Sequence, residues 1–362
     1  MATMKIRSLD ATQLKLPLKK PITSALGAYT HVDAVVVTLH TDDGPSGCGF
    51  TMGLGGAASS AIVPYIRNEL APLALDQDPL APEALWQRLW GPNKARLRAG
   101  IGLHALSAVD IACWDVVAKA AGLPLNRLLG GFRQDVPIYG SGGWHSLSDV
   151  ELLEECQSFA DLGIRAYKFK IGAPRDAGRI ALLRREMGDD FTLFVDANQA
   201  YNVREAITVS NLLAEYDVAW FEEPVLADSV DDLAEVAHSS AVPIGAGENA
   251  YMRWGFREIC ERRAAAFLQP DPGRCGGVTE FRKIAHLADA FNLSLSSHLL
   301  HELSISLVGA SPSGYLAEYM ELLPAGTLTR EFKVQAGSIR VPEVPGHGVE
   351  FTPDAIKRFA PD

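Results

Sequence analysis

The feature of this sequence that most constrains its fold is a repeat, in which a short apolar run ends in an ionisable residue and an amphipathic stretch follows. The spacing is 26 residues three times in succession, then 23 and then 27, between these residues: Lys170, Asp196, Glu222, Glu248, Asp271 and His298. A strand, a helix and their loops need about this much chain. Alternating strands and helices form a parallel sheet, and a long succession of such units favours a closed barrel over an open sheet. The repeat therefore predicts an α/β protein built on a barrel.

The chain before the repeat has a different pattern. Its early part is rich in β-formers, as in Val35–Leu39, and its later part has helical patterns at 57–71 and 82–90. From Gly102 to Ala121 it is apolar on almost all sides, which indicates a buried helix. We therefore predict three parts: an N-terminal α+β capping domain over residues 1–125, a catalytic barrel over 126–325, and a C-terminal segment over 326–362 that packs back on the capping domain.

Charge and cysteine content argue against several classes of partner. The 44 acidic residues outnumber the 33 basic ones and give a net charge of −11, so the chain gains nothing from releasing phosphate counterions and we expect no nucleic-acid partner. No stretch approaches the ~18 apolar residues of a membrane span, so we expect no membrane partner.

The cysteines are widely spaced and form no CxxC pair. This pattern predicts reduced thiols in a cytoplasmic protein. The five residues are Cys48, Cys113, Cys156, Cys260 and Cys275.

The strand ends of the predicted barrel carry the residues of chemical interest. In such barrels the active site lies at the C-terminal ends of the strands. One acid after one strand is ordinarily a helix cap or a solvated turn residue, but here an ionisable residue recurs in register. Three carboxylates on consecutive strands, Asp196, Glu222 and Glu248, would repel one another without a cation. Their all-oxygen character suits Mg²⁺ or Mn²⁺ and not zinc.

Lys168 and Lys170 form a second feature. Residues two apart on a strand point to the same face, so both ammonium groups enter the barrel mouth. Two neighbouring cations near a metal lower each other's pKa, and a lysine with a lowered pKa is a usable base near neutral pH. The alternative is an exposed pair such as Lys19-Lys20, but the strand around Lys168 is otherwise apolar.

Asp271 and His298 end adjacent strands. A carboxylate beside an imidazole fixes its tautomer and raises its basicity. The alternative is a buried structural histidine that hydrogen-bonds Ser296 or Ser297. We favour a catalytic pair.

Together these motifs resemble the enolase superfamily, and within it the mandelate racemase subgroup, over essentially the whole chain. The motifs are Tyr167-Lys168-Phe169-Lys170, Val195-Asp196-Ala197-Asn198, Trp220-Phe221-Glu222-Glu223-Pro224, Gly247-Glu248-Asn249, Gln269-Pro270-Asp271 with Gly276-Gly277-Val278, and Ser296-Ser297-His298. The resemblance implies a modified TIM barrel of the (β/α)7β type with an N-terminal α+β capping domain. It also implies a homo-oligomer, up to an octamer.

The resemblance implies roles for the same positions. The three carboxylates would ligate Mg²⁺, which would hold the substrate carboxylate and stabilise the enediolate formed when the α-proton leaves. Lys170 would be the base on one face of the substrate. His298, backed by Asp271, would be the acid or base on the other face. Lys168 would neutralise the substrate carboxylate and tune Lys170.

The remaining implied positions concern substrate contact. Glu318 would be protonated and would donate a hydrogen bond to the enediolate, and Asn198 and Ser141 would contact the substrate. In this family a loop of the first domain closes the site, and here that loop is residues 23–31. The apolar Leu26 and Tyr29 at its centre would either contact substrate or pack on the barrel rim.

These motifs allow more than one reaction of a hydroxy carboxylate. Loss of a β-hydroxyl after α-proton removal is dehydration, and return of the proton to the opposite face is racemisation of a mandelate-type acid. Sugar-acid dehydratases are common in this subgroup, so we expect a hydro-lyase acting on a sugar acid, although the apolar loop favours a less polar substrate. A metal-stabilised carboxylate-binding protein without turnover is the alternative of another class, and the intact lysine pair and Asp–His pair argue against it.

Overall fold

In the computed structural model, residues 4–56 and 59–361 are described. The first part of the chain forms an antiparallel sheet with strand order β1-β2-β3. Its strands are β1 (Ile6–Ser24), β2 (Gly27–Thr41) and β3 (Gly47–Leu54). The turn between β1 and β2 lies within the predicted loop 23–31, so this loop is the tip of a long hairpin.

Five α-helices of the described chain follow this sheet. They are α1 (Ser59–Tyr65), α2 (Ala71–Ala74), α3 (Pro82–Trp90), α4 (Ile101–Ala120) and α5 (Leu125–Leu128). The predicted helix over residues 57–71 is thus not continuous, because Ile66–Leu70 forms a π-helical turn between α1 and α2. Residues 57 and 58 of the predicted helix lie outside the described part of the chain. Pro72 has no N–H and crowds the carbonyl four residues earlier, which favours such a widened turn.

Helix α4 is the central helix of the capping domain, and it packs closely on β3. A Cβ atom at Gly49 would lie 1.9 Å from the carbonyl oxygen of Ala108, so only glycine permits this approach.

Helix α4 is long and apolar enough, by length and composition, to span a membrane. The expectation that no stretch of the chain is so apolar is therefore wrong for this helix. However, 83 % of its apolar window is buried inside the protein. Its apolar character is therefore accounted for by burial on several sides.

Within the described residues, eight parallel strands alternate with seven helices. They are β4 (Asp135–Gly142), α6 (Asp149–Asp161), β5 (Ala166–Lys170), α7 (Asp176–Met187), β6 (Thr192–Asp196), α8 (Val203–Glu215), β7 (Val218–Glu222), α9 (Val230–Ser239), β8 (Ile244–Ala246), α10 (Met252–Glu261), β9 (Phe267–Leu268), α11 (Gly277–Ala290), β10 (Ser294–Leu295), α12 (His301–Ala310) and β11 (Ala317–Tyr319). Strand β11 pairs in parallel with β4, and Leu295 forms a bridge with Gly314 just before β11. The sheet therefore closes, and the modified TIM barrel of the (β/α)7β type is confirmed.

Aromatic side chains fill the barrel interior below the strand ends. The rings of Phe194 and Trp220 stack with centroids 3.7 Å apart, and Tyr139 meets Trp220 edge-on at 5.2 Å. All three are fully buried. They form a rigid floor on which the polar residues at the strand ends are supported.

The C-terminal segment contacts both the barrel and the capping domain. It contains β12 (Val334–Gln335), β13 (Ser338–Arg340) and α13 (Pro353–Phe359). Strand β13 pairs antiparallel with β4 of the barrel. Further along, His347 Nε2 donates to the carbonyl of Cys48 at 2.7 Å, and the ring of Phe351 packs on Phe50. We propose that the domain limits lie at residues 125 and 325.

Buried hydrogen bonds join the capping domain to the start of α11. The carboxylate of Asp110 on α4 accepts from the Thr279 N–H at 2.9 Å and from its hydroxyl at 2.6 Å. Beside it, Trp86 Nε1 donates to the carbonyl of Gly276, and the Ser107 hydroxyl accepts from the Gly276 N–H. A glycine at 277 is also needed, because a Cβ there would lie 2.3 Å from the Asp110 carboxylate. The two domains are therefore fixed to each other at this point.

We expect Asp110 to make this junction sensitive to pH. Burial raises the pKa of Asp110 to about 7, against the lowering effect of the Thr279 hydrogen bonds, and Glu280 and Glu83 raise it further. Because the folded state then holds a proton that the unfolded state releases between about pH 4 and 7, the free energy of unfolding should increase as the pH falls from 7 towards 4. Asp110→Asn should remove this contribution, as measured by denaturant unfolding at pH 7.5 and pH 5.5. Asp43→Asn, at an exposed position, is the control, and an unchanged pH dependence in Asp110→Asn contradicts the assignment.

Candidate active site

Three carboxylates meet at the C-terminal ends of neighbouring strands. Asp196 and Glu222 are the last residues of β6 and β7 and lie opposite each other in the strand register. Glu248 follows β8 in the next loop, two residues after the strand ends. One oxygen from each carboxylate lies within 4.8 Å of the others, and all three residues are buried. Such an all-oxygen, all-carboxylate set fits Mg²⁺.

The electrostatics of this cluster also call for a cation. Burial raises the pKa of Glu222 to about 8, and although Lys168 lowers it, Asp196 and Glu318 add to the increase. The pKa of the adjacent Glu223 is raised well above its usual range, by burial and by Glu248. Negative charge is thus in excess in this group, and a divalent ion would relieve it.

The two lysines of β5 lie against these carboxylates. Lys168 Nζ is 2.5 Å from Glu222 Oε1 and 2.9 Å from Glu318 Oε1, and Lys170 Nζ contacts the Asp196 carboxylate. The pKa values of Lys168 and Lys170 are both raised. Burial by itself would lower them, but the attraction of the carboxylates outweighs it. The expected lowering of the Lys170 pKa assumed a neighbouring metal ion, whereas the carboxylates by themselves raise it. Lys168 does lower it, but Asp196 has the larger effect.

Asp271 and His298 form the predicted pair. His298 Nδ1 lies 2.8 Å from Asp271 Oδ2, and His298 Nε2 lies 3.2 Å from Glu248 Oε2. The other oxygen of Asp271 accepts from the Gly273 N–H at 2.7 Å. Asp271 is fully buried and fixes the orientation of the ring. Both residues lie in loops after short strands, β9 and β10.

Glu318, at the centre of β11, is charged in this arrangement. Burial raises its pKa, but Lys168 and His298 outweigh burial, and the net direction is strongly downward. Its Oε2 also accepts from the Leu299 N–H at 2.6 Å. The expectation of a protonated Glu318 is therefore not met, because an ammonium group and a backbone donor both stabilise the anion.

A cavity of about 230 Å³ opens above these groups. It is lined by Ser24, Leu26, Tyr29, Leu54, Trp144, Lys170, Asn198, Glu248, Asn249, Arg274, His298, Leu299, Glu318 and Met320. Leu26, Tyr29 and Asn198 therefore lie where substrate contacts were predicted. Asn198 also donates from its side chain to Asp196 at 3.1 Å.

Ser141, for which a substrate contact is predicted, is buried in β4. It is not among the residues that line the cavity, and its buried hydroxyl has no hydrogen-bond partner within the described chain. Ser141 pairs with Lys168 across β4 and β5. Lys168 lies one pleat deeper in the barrel than Lys170, which explains why Ser141 is below the cavity.

Two residues at the site, Arg274 and Asn249, were not singled out from the sequence. Arg274 Nε lies 3.3 Å from Asp271 Oδ2, and its Nη1 donates to the backbone carbonyl of Glu248 at 3.2 Å. Asn249 donates its side-chain N–H to Glu223 at 2.8 Å and so braces the loop of Glu248. The signals were present in the chain, because each of these residues is adjacent to a predicted one or, for Arg274, three positions after Asp271.

The part of the capping domain that covers the cavity, here called the lid, consists of the hairpin tip 24–31 and the segment 54–56. The buried Asp33 joins its two parts. The carboxylate of Asp33 accepts from the Gly56 N–H and lies 3.1 Å from His31 Nε2. Gly55 and His31 are also linked through their backbones at 2.9 Å. Leu26, Tyr29 and Leu54 are thereby held over the cavity.

Comparison with known proteins agrees with this architecture. Residues 7–130 match the family model described as the mandelate racemase/muconate lactonizing enzyme N-terminal domain, and residues 151–355 match the enolase C-terminal domain-like model. The 3,6-anhydro-alpha-L-galactonate cycloisomerase of Streptomyces coelicolor is 33 % identical, over 96 % of this chain and 97 % of that protein.

Two solved structures are similar over almost the whole chain. A racemase from Streptomyces coelicolor with bound magnesium superposes with a TM-score of 0.95 at 31 % identity, covering 98 % of this chain and 100 % of that one. An L-talarate dehydratase from a Polaromonas species, complexed with magnesium and L-glucarate, superposes with a TM-score of 0.93 at 29 % identity, covering 99 % and 98 %. The capping sheet, the closed barrel and the buried carboxylates all agree with these matches, and the chain belongs to the mandelate racemase/muconate lactonizing enzyme family of the enolase superfamily.

Proposed function

We propose that this protein is a Mg²⁺-dependent enzyme that removes the α-proton of a hydroxy carboxylate, and that it dehydrates a sugar acid. The observation that carries the proposal is the position of Lys170 and His298 in one cavity beside three buried carboxylates. A base, an acid and a metal site in one enclosed space are what removal of a weakly acidic C–H proton requires. The dehydratase and cycloisomerase names of relatives support the substrate class.

Each group has a proposed role in this reaction. Asp196, Glu222 and Glu248 would hold Mg²⁺, which when bound supplies positive charge to stabilise the anion that develops as the α-proton leaves. The positive charge of the metal ion would offset Asp196 and so favour the neutral amine of Lys170, and Lys170 Nζ in that form would take the α-proton. His298 Nε2 would protonate the β-hydroxyl as its C–O bond breaks, so that water departs and an enol remains, which becomes the 2-keto acid. Asp271 would stabilise the imidazolium form of His298.

Lys168 and Glu318 would serve the carboxylate end of the substrate. Lys168 is fully enclosed between Glu222 and Glu318 and lies beside the carboxylates that would hold the metal ion. We propose that it offsets the negative charge of the substrate carboxylate. Glu318 would keep Lys168 in place as an ion-pair partner.

Racemisation is the second candidate. It needs the same two groups, with His298 delivering a proton to the α-carbon in place of the hydroxyl. The similarity to a racemase with bound magnesium supports racemisation as a candidate reaction. The remaining alternative is a carboxylate-binding protein without turnover. Exchange of an α-proton in any substrate would exclude it.

One experiment separates these functions. The protein, with Mg²⁺ in D₂O, is incubated with a panel of sugar acids and aryl α-hydroxy acids, and each mixture is followed by proton NMR. Loss of the α-proton signal together with 2-keto-3-deoxy resonances is the expected result. Deuterium incorporation with inversion and no keto product would assign a racemase, and absence of exchange throughout the panel would contradict the proposal.

Asp33 is expected to act on this reaction through the lid. Asp33→Ala removes the acceptor that joins His31 to Gly56, so the lid should close less often over bound substrate. We expect KM to rise about tenfold, equivalent to ~1.4 kcal/mol, with a smaller change in kcat. Asp10→Ala, at an exposed position on the same hairpin, is the control. A fall in kcat alone would show that Asp33 does not act through substrate closure.

Assembly and location remain proposals. The predicted small-molecule carboxylate partner agrees with the glucarate complex of a relative. We propose a homo-oligomer, tested by light scattering. We also propose a cytoplasmic location, which is supported by the five cysteines, all of them within the described residues and none in a disulfide.

A further inference from the structure

We propose that the substrate is a monocarboxylate whose remaining part carries no charge, that is, an aldonate-type acid and not an aldarate with a carboxylate at each end. This inference rests on the proposed function and concerns the end of the cavity away from the reacting carbon. The charges on the cavity wall carry it.

Lysine and arginine are scarce on that wall. Among the described residues that line the cavity, Lys170 and Arg274 are the two that carry a permanent cationic side chain. Lys170 is in contact with Asp196 and belongs to the reacting end. A second substrate carboxylate would therefore depend on Arg274.

Arg274 is already committed to protein carboxylates. Its Nε lies 3.3 Å from Asp271 Oδ2, and its Nη1 lies 3.7 Å from Glu248 Oε1. One guanidinium thus faces two carboxylates, and its side chain is only 17 % exposed. It retains N–H groups that can donate to a neutral hydroxyl, but its positive charge is already shared with two protein carboxylates.

The lid adds no cation. Its lining residues are Ser24, Leu26, Tyr29 and Leu54, which are uncharged. The basic residue of the lid, His31, is engaged by Asp33 and Thr30. Residues 57 and 58, which follow the lid and lie outside the described residues, are alanines in the sequence.

Two lysines in the irregular part of β1 just before the hairpin tip are also paired elsewhere. Lys19 forms an ion pair with Glu321, and Lys20 forms one with Glu151. Both lysines are largely exposed. They do not line the cavity, and water screens them from its interior.

A buried carboxylate without a cationic partner is strongly disfavoured, whereas a hydroxyl needs only hydrogen bonds. Donors and acceptors for hydroxyls are present in Ser24, Asn198, Asn249 and Arg274. Family membership alone does not decide the matter, because an L-talarate dehydratase with this fold is complexed with L-glucarate, a dicarboxylate. The choice must come from the residues of this chain.

The test uses matched pairs that differ only at the end remote from the reacting carbon. D-Gluconate is compared with D-glucarate, D-galactonate with galactarate, D-mannonate with D-mannarate, and D-arabinonate with D-arabinarate. Each is incubated with the Mg²⁺-loaded enzyme in D₂O and followed for α-proton exchange and keto product. We expect turnover to be confined to aldonates, or kcat/KM to favour the aldonate of a pair at least about tenfold, because the unpaired carboxylate must be desolvated.

Failure of this inference differs from failure of the proposed function. An aldarate that turns over as well as its aldonate overturns the inference and supports the function. Absence of exchange with every compound overturns both. Binding supplies a second readout: calorimetry on the Mg²⁺-loaded His298→Asn variant should give a lower Kd for the aldonate of the active pair, and equal Kd values count against the inference.

A change in the lid tests the charge argument directly. Leu26 is 57 % exposed at the hairpin turn, so Leu26→Arg places a cation at the cavity without disturbing the core. The ratio of aldarate to aldonate kcat/KM should rise at least about tenfold over the wild type. Leu26→Gln, of similar length but neutral, is the control. An unchanged ratio in Leu26→Arg contradicts the idea that the charges lining the cavity select the substrate.

Discussion

Replacement of Lys170 by alanine is expected to lower the rate of α-proton exchange by about 10²–10⁴-fold, the range for loss of a general base. Lys170 is the cation of the cavity wall that adjoins the metal-ligand cluster, and its Nζ lies 5.1 Å from the centroid of the Trp144 ring. The aromatic ring on one side and Asp196 on the other hold the ammonium group in one position. No other lysine among the described residues lines the cavity, so no second base of this kind can replace it.

The measurement follows deuterium exchange and product formation separately, with saturating Mg²⁺. If Lys170 takes the α-proton, both should fall together, and KM should change less than kcat. Lys20→Ala is the matched control, since this lysine is exposed and pairs with Glu151. Full activity in Lys170→Ala would assign proton removal to another group, with His298 the next candidate.

Removal of the metal is expected to abolish turnover and leave the fold intact. Without the cation, the negative charge that develops on the substrate loses the compensation that the metal supplies, so activity should fall below detection. The fold should persist because the carboxylates have other partners: Lys168 and Gln269 each lie 2.5 Å from an oxygen of Glu222. Lys170 and Asn198 similarly contact Asp196.

The two parts of this prediction need different measurements. Activity is followed after dialysis against EDTA and again after Mg²⁺ is restored, and the fold is followed by circular dichroism and thermal unfolding. Glu248→Gln should give a protein with the same secondary structure that needs a higher Mg²⁺ concentration for activity. A chelated enzyme that still turns over would contradict the metal assignment, and unfolding on chelation would contradict the role given to the lysines.

The barrel and most of the site were predictable because they depend on spacing and strand register. In a parallel sheet the ends of neighbouring strands lie side by side, and Asp196 lies opposite Glu222 for that reason. The same argument placed His298 beside Asp271, although both belong to loops after very short strands. Such features repeat along the chain and can be read from it.

The features that the sequence does not predict depend on how deep a side chain lies in the barrel and on contacts between distant segments of the chain. The ionised state of Glu318 results from Lys168 and the backbone of Leu299, which come from two other parts of the barrel. Ser141 lies beside Lys168, one pleat below Lys170, and spacing gives the face of a strand but not this height. Arg274 was missed because its role comes from contacts with Asp271 and Glu248 and not from a motif.

The rigid junction between α4 and α11 has a consequence for how this protein can change over evolutionary time. With the two domains fixed at Asp110 and Thr279, the proposed proton-transfer groups and the lid belong to separate parts of the polypeptide. Substitutions at the hairpin tip can alter which acid is accepted while the folding core and the proton-transfer groups are conserved. Diversification towards new acids is therefore expected to concentrate in a short, exposed stretch of chain around Leu26, where few neighbours resist change.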